Sequence, residues 1–159
     1  MLSIIRTMII ATATLSIPLG VVAEALSFGP DSMREIERMH AGAPFIVALW
    51  ATDCSPCRRE LAVLRAFSID HPGIPVVLIA SDNIGNADLV EHILAEFGLA
   101  DVESWLFSNG NLERLRYTVD PGWSGEMPRS YLYDENSKRQ AIIGALSKAH
   151  LDLWIESLP

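Results

Sequence analysis

Cysteine is scarce in this 159-residue chain: it occurs at Cys54 and Cys57 and nowhere else. A structural zinc site built on that pair would need further ligands at local spacing. The histidines at His40, His71, His92 and His150 are scattered. None follows the second cysteine, where Arg58 stands, so covalent haem attachment is excluded. A thiol peroxidase would carry Ser or Thr three residues before its attacking cysteine; here Ala51 precedes Cys54 and Cys54 precedes Cys57. Basic residues are the minority, 12 Lys and Arg against 20 Asp and Glu, for a net charge of −8. That balance argues against nucleic acid and anionic membrane surfaces as partners. Repeats, low-complexity tracts and long linkers are also missing, which points to one domain after the first 25 residues.

A long apolar run is lacking too. Thr7–Ala23 is uncharged and mainly apolar, but Thr7, Thr12, Thr14 and Ser16 interrupt it and Pro18 and Gly20 break it. A membrane-spanning helix usually needs about 20 apolar residues. Arg6 precedes the run, and Ala23-Glu24-Ala25 follows as a small-x-small cleavage pattern. Residues 1–25 therefore read as a secretory signal peptide cut after Ala25, with an uncleaved N-terminal anchor as the alternative. The cut removes one arginine and one glutamate, so the remaining domain, 26–159, keeps the charge of −8. Export and a cysteine pair fit an oxidising compartment such as the periplasm.

Half of the residues are hydrophobic, enough for a sizeable core. Ser32–His40 reads as a short helix with Met33, Ile36 and Met39 or His40 on one face. Phe45–Trp50 is continuously apolar and reads as a buried strand. From Ser55 to about Ser68, Cys57, Leu61, Leu64 and Phe67 recur at helical spacing, and Pro56 is tolerated in the first turn. Pro75–Ala80 is a second buried strand. A helix capped by Asn86 would place Leu89, Val90, Ile93, Leu94 and Phe97 inward. Trp105–Phe107 is a short strand candidate, 111–118 a short helix, and Ser130–Tyr133 with Gln140–Ile143 a hairpin around a polar turn. Ser147 caps a last helix with Leu151, Trp154, Ile155 and Leu158 inward. This order predicts an α/β fold with a mixed sheet flanked by helices on both faces.

The chemistry concentrates at the corner between the first strand and the second helix. The spacing Cys54-Ser55-Pro56-Cys57 lets two sulfurs bridge, and a helix N-terminus stabilises a thiolate through its dipole and unpaired N–H groups. A purely structural disulfide there would close a tiny loop and constrain the unfolded chain little. A Cu(I) site using both thiolates with a histidine or Met127 is the other reading the residues leave open, since soft sulfur ligands suit that ion.

The run Trp50-Ala51-Thr52-x-Cys54-x-Pro56-Cys57-Arg58-x-Glu60-Leu61, followed by Trp123-Ser124-Gly125-Glu126-Met127-Pro128-Arg129-Ser130, resembles the thioredoxin superfamily. It is most similar to the exported TlpA/ResA-like thiol-disulfide oxidoreductases. The resemblance implies a thioredoxin-like fold and exchange through a mixed disulfide. It implies that Cys54 attacks, that Cys57 resolves, and that Pro128 is the cis-proline beside the dithiol. Met127 would pair its backbone with the bound partner, and Glu60 would aid proton transfer behind the dithiol. It further implies a disulfide-bearing exported protein as substrate, such as apocytochrome c, a folding oxidoreductase or a metallochaperone. A membrane-bound thiol would donate electrons, the molecule would be a monomer, and no cofactor beyond the Cys54–Cys57 disulfide would be needed.

Two positions depart from the family pattern. Asp53 stands where Trp is frequent, and a carboxylate beside Cys54 should oppose thiolate formation and make the dithiol a better reductant, unless it points into solvent. Ala48 stands where cytosolic thioredoxins hold a buried Asp, so any internal proton carrier must come from elsewhere; Glu60 is the first candidate, with a solvated helix position as its alternative. Trp50 reads as core, and Trp123 as a surface candidate for an apolar substrate-landing patch.

Overall fold

A computed structural model describes residues 24–159, and the expected signal segment falls almost wholly outside them. Six strands and five helices run in the order β1 (Leu26–Phe28), α1 (Ser32–Met39), β2 (Phe45–Trp50), α2 (Ser55–Asp70), β3 (Val76–Ala80), α3 (Ala87–Glu96), β4 (Glu103–Phe107), α4 (Leu112–Val119), β5 (Arg129–Tyr133), β6 (Arg139–Ile143) and α5 (Lys148–Ser157). They form one sheet of order β1-β4-β3-β2-β5-β6. Neighbours from β1 to β2 pair parallel, whereas β5 pairs antiparallel with both β2 and β6.

The parallel centre explains the continuously apolar strands. A strand covered on both faces has no solvent side to mark with polar residues. The pleat sends Ile46, Ala48 and Trp50 to one face and Phe45, Val47 and Leu49 to the other. The first face packs on α2, α3 and α5 through Leu61, Leu64, Val90, Ile93, Leu151 and Trp154. The second packs on α1 and α4 through Met33, Ile36, Leu115 and Val119. The sheet is thus mixed and covered on both faces, as the element order implied.

Several local expectations need correction. Leu89 is 47% exposed, because the inner stripe of α3 is Val90, Ile93 and Leu94 and Leu89 falls on the far side. Phe97, Ile155 and Leu158 are only partly buried, at the edges of their stripes. Met39 is exposed, and His40 is the residue that turns in, stacking on Phe45 at 4.9 Å. Asn86 does not cap α3 through its side chain; its amide donates to Asp82 at 3.2 Å. Asn83 instead caps the 3-10 turn Ile84–Asn86 that leads into α3. β1 has no counterpart in the sequence reading. It pairs with β4 through Leu26, Ser27 and Phe28, and Phe28 is buried against Trp105 and Phe107.

Candidate active site

Cys54 and Cys57 are joined in a disulfide at the start of α2. Cys54 is the N-cap residue and only partly buried, while Cys57 lies in the first turn and is 1% exposed. The Cys57 N–H donates to Cys54 Sγ at 3.3 Å. A helix-start N–H is therefore already aimed at the sulfur that would carry charge in the dithiol form, and the helix dipole acts in the same sense. Pro56 occupies the first turn, where its missing N–H forfeits no helical bond.

A buried carboxylate holds the approach loop. Thr52, two residues before Cys54, donates its backbone N–H to Asp82 Oδ2 at 3.0 Å and its hydroxyl to Asp82 Oδ1. Asp82 follows β3 and is itself buried. It sits at the carboxyl end of a parallel strand, the end at which open α/β sheets place their sites. Asp82 belongs to no sequence motif named above; its place at the end of a buried apolar strand is the one signal it carries.

Glu60 sits one turn after Cys57 on the same face of α2 and is 3% exposed, so the solvated-helix alternative does not hold. The Ser130 hydroxyl donates to Glu60 Oε1, and the Leu146 N–H donates to Oε2 at 3.1 Å. Burial pushes the Glu60 carboxyl above its ordinary value, against the lowering effect of those two donors.

The Met127–Pro128 bond is cis. Register brings it to the dithiol corner: Arg129 lies opposite Leu49, so Pro128 falls beside the end of β2, where the chain turns into Ala51–Cys54. Met127 packs against both core clusters and accepts the Ser81 hydroxyl on its sulfur at 3.6 Å. Met127, Thr52, Asp53, Asp82 and Arg116 line one pocket of about 360 Å³. Asp53 is exposed there.

Trp123 is not a surface patch; it is 4% exposed within the second core cluster. The Trp123 N–H donates to the Asp120 carbonyl and turns the ring inward, where Nε1 donates to the Glu126 carbonyl at 2.8 Å. Trp50 is core, as expected.

The Met127–Pro128 loop is clamped at both ends by charges the sequence reading did not connect. Arg129 donates to Asp120 at 2.8 Å and to the Tyr131 hydroxyl at 2.6 Å, and it also pairs with Glu126. Asp120 further accepts the Tyr131 hydroxyl at 2.9 Å and the Gly122 N–H at 2.9 Å. Burial pushes the Asp120 carboxyl up, but these donors together with Arg129 and Arg139 overcome it and hold it below the ordinary range. Strand alternation explains the division of labour: Arg129 and Tyr131 point to the α4 side, and Ser130 points to α2 and Glu60. Among the described residues, no group of three or more His, Cys, Asp or Glu is placed to hold a metal ion.

The sheet order and the redox pair at the start of α2, with the cis-proline loop beside it, define a thioredoxin-fold thiol-disulfide oxidoreductase. Within the thioredoxin superfamily the chain is similar to the TlpA/ResA-like group. No family model matches it. It is 25% identical over 126 residues to sporulation thiol-disulfide oxidoreductase A of Bacillus subtilis (strain 168), covering 77% of this chain and 72% of that protein. The solved structure of MTB dsbF shares the fold with a TM-score of 0.62 at 16% identity, over 77% of this chain and 85% of that one. A DsbF homologue from Corynebacterium diphtheriae does so with a TM-score of 0.62 at 17% identity, over 77% and 76%.

Proposed function

We propose that the protein is an exported reductase of disulfides in other proteins, and that the structure holds it in the spent, oxidised form. In the dithiol form the Cys54 thiolate attacks one sulfur of a substrate disulfide. That S–S bond breaks, the other substrate sulfur leaves as a thiolate, and Cys54 is left in a mixed disulfide. The Cys57 thiolate then attacks Cys54 Sγ, releases the second substrate thiolate and re-forms the Cys54–Cys57 bond. Two electrons pass to the substrate. A membrane-bound thiol donor returns the pair to the dithiol by the same chemistry run against Cys54–Cys57.

The observation that carries this reading is the contrast between the sulfurs: Cys54 is accessible at the helix start, and Cys57 is buried one turn from a buried carboxylate. Attack needs an accessible thiolate, and resolution needs a second sulfur within reach. Glu60 is the proton carrier for Cys57: its carboxylate takes the thiol proton, burial raises its affinity for that proton, and the site has no buried Asp at Ala48. Met127 and Pro128 receive the extended substrate segment beside Cys54, and Trp123 supports that loop from within. Asp53, next to Cys54, is exposed, which is the solvent-facing alternative, so water screens its repulsion of a thiolate.

Export rests on residues 1–25. A cut after Ala25 would leave β1, which starts at Leu26, intact at the new terminus. No helix among the described residues is long and apolar enough to cross a membrane. We expect a monomer that takes protein disulfides as substrates and does not bind nucleic acid. Insulin reduction with dithiothreitol as electron donor tests the activity: the wild type should accelerate it and Cys54→Ser should not. Equal rates with and without the protein would overturn the reading.

A further inference from the structure

Arg116 lines the pocket beside the dithiol, yet it forms no ion pair and no side-chain hydrogen bond among the described residues. Its Nε is buried and has no acceptor. The guanidinium is nevertheless held in place. Its carbon lies over the Trp123 ring, 5.8 Å from the centroid, a cation–π contact. Gly125 backs it on the loop side: a Cβ there would stand 3.3 Å from Arg116 Nη1, and the φ of +100° is one that L side chains rarely adopt. Trp123 and Gly125 both belong to the loop that ends in Met127–Pro128, so the loop that receives substrate also orients this cation.

The carboxylates nearby are otherwise engaged or open to water. Asp82 accepts from Thr52 and Asn86, Glu126 pairs with Arg129 and Ser124, and Asp53 is exposed. Arg116 thus presents a preordered fork of N–H donors, including a desolvated one, with no acceptor supplied by the described residues. Such a fork matches a carboxylate through two parallel hydrogen bonds.

Resting on the reductase reading of the site, we propose that Arg116 is a specificity-determining residue that receives an aspartate or glutamate side chain lying close in sequence to the cysteine under attack. The acidic side chain enters the pocket past Met127, seats on Arg116 and places the neighbouring sulfur toward Cys54.

The test uses peptides with one disulfide, each carrying Glu at a single position within three residues of the cysteine, beside controls with Gln there. The full chain reduces them with dithiothreitol as donor. At one of these positions the Glu peptide should exceed its Gln control in kcat/KM by roughly tenfold at low salt, the scale of a hydrogen-bonded charge pair. Arg116→Gln should bring that ratio to about one, and Arg116→Lys, which keeps the charge without the fork, should leave it in between. No preference for Glu at any position in the wild type, or a preference that survives Arg116→Gln, would overturn the assignment. Hydroxyethyl disulfide, uncharged, checks the underlying reading with the wild-type protein. Failure to reduce it and all the peptides would overturn the reductase reading and the Arg116 role together, whereas its reduction without a Glu preference would overturn the Arg116 role alone.

Discussion

The Ser130 hydroxyl donates to the Glu60 carboxylate across 70 residues of chain, tying the helix that follows the dithiol to the strand that follows Pro128. Burial raises the Glu60 carboxyl above its ordinary value of 4.5, so the folded state binds that proton more tightly than the unfolded state does. The linked stability is full below about 4.5 and is lost as pH rises through the raised folded value. Urea unfolding of the oxidised protein should therefore show the wild type losing stability relative to Glu60→Gln as pH rises from about 4.5. A pH-independent difference between the two would contradict it.

The same carboxyl should matter to kinetics. With Glu60 as proton carrier to Cys57, Glu60→Gln should slow release of the mixed disulfide while the domain stays folded. General acid–base assistance is typically worth about 10²–10⁴ in rate, so even a partial contribution is measurable by quenched-flow alkylation. Unchanged release across pH 6–9 would remove Glu60 from the proton path.

Asp120 is the hub of the charges that clamp the Met127–Pro128 loop. Its carboxyl is held below the ordinary 3.8, so its contribution is present above that value and lost as pH falls through the lowered folded value. Asp120→Asn takes from Arg129, a side chain only 7% exposed, one of its two carboxylate partners and leaves Glu126. The loss at pH 7 should be about 1–3 kcal/mol, the scale of hydrogen bonds to a charged group. Denaturant midpoints should converge with those of the wild type in acid.

Asp82 anchors the segment that presents Cys54. Asp82→Ala leaves the Thr52 N–H and hydroxyl without their acceptor, at a cost of about 1–3 kcal/mol for the oxidised protein. Hydrogen exchange at the Thr52 amide should accelerate by more than that at the buried amides of β3. Equal acceleration everywhere would mean global weakening rather than a freed loop.

What the sequence made legible follows from the physics of each element. β2 and β3 are buried on both faces, and continuous apolar runs announce that arrangement without any fold in view. α2 carries its stripe, its first-turn proline and its cysteine cap within a few residues. β1 left no comparable mark, because three residues on a sheet edge are too few to show a period. The contacts that organise the site are long-range pairs: Thr52 with Asp82, Glu60 with Ser130 and Leu146, and Asp120 with Arg129. One side chain of each pair can be suspected from its neighbours in sequence, but its partner is chosen by sheet register. Trp123 shows the converse error. A loop rich in small and polar residues reads as surface, yet the turn at Asp120–Trp123 folds the ring into the core.

The central claim is that Cys54 forms the covalent bond to substrate and Cys57 breaks it. The direct measurement is mass mapping of the complex that a reduced Cys57→Ser variant forms with a disulfide-bearing protein. The account predicts an accumulating mixed disulfide at Cys54, absent in Cys54→Ser. A stable adduct on Cys57 in the Cys54→Ser protein, with none on Cys54 in the Cys57→Ser protein, would contradict it.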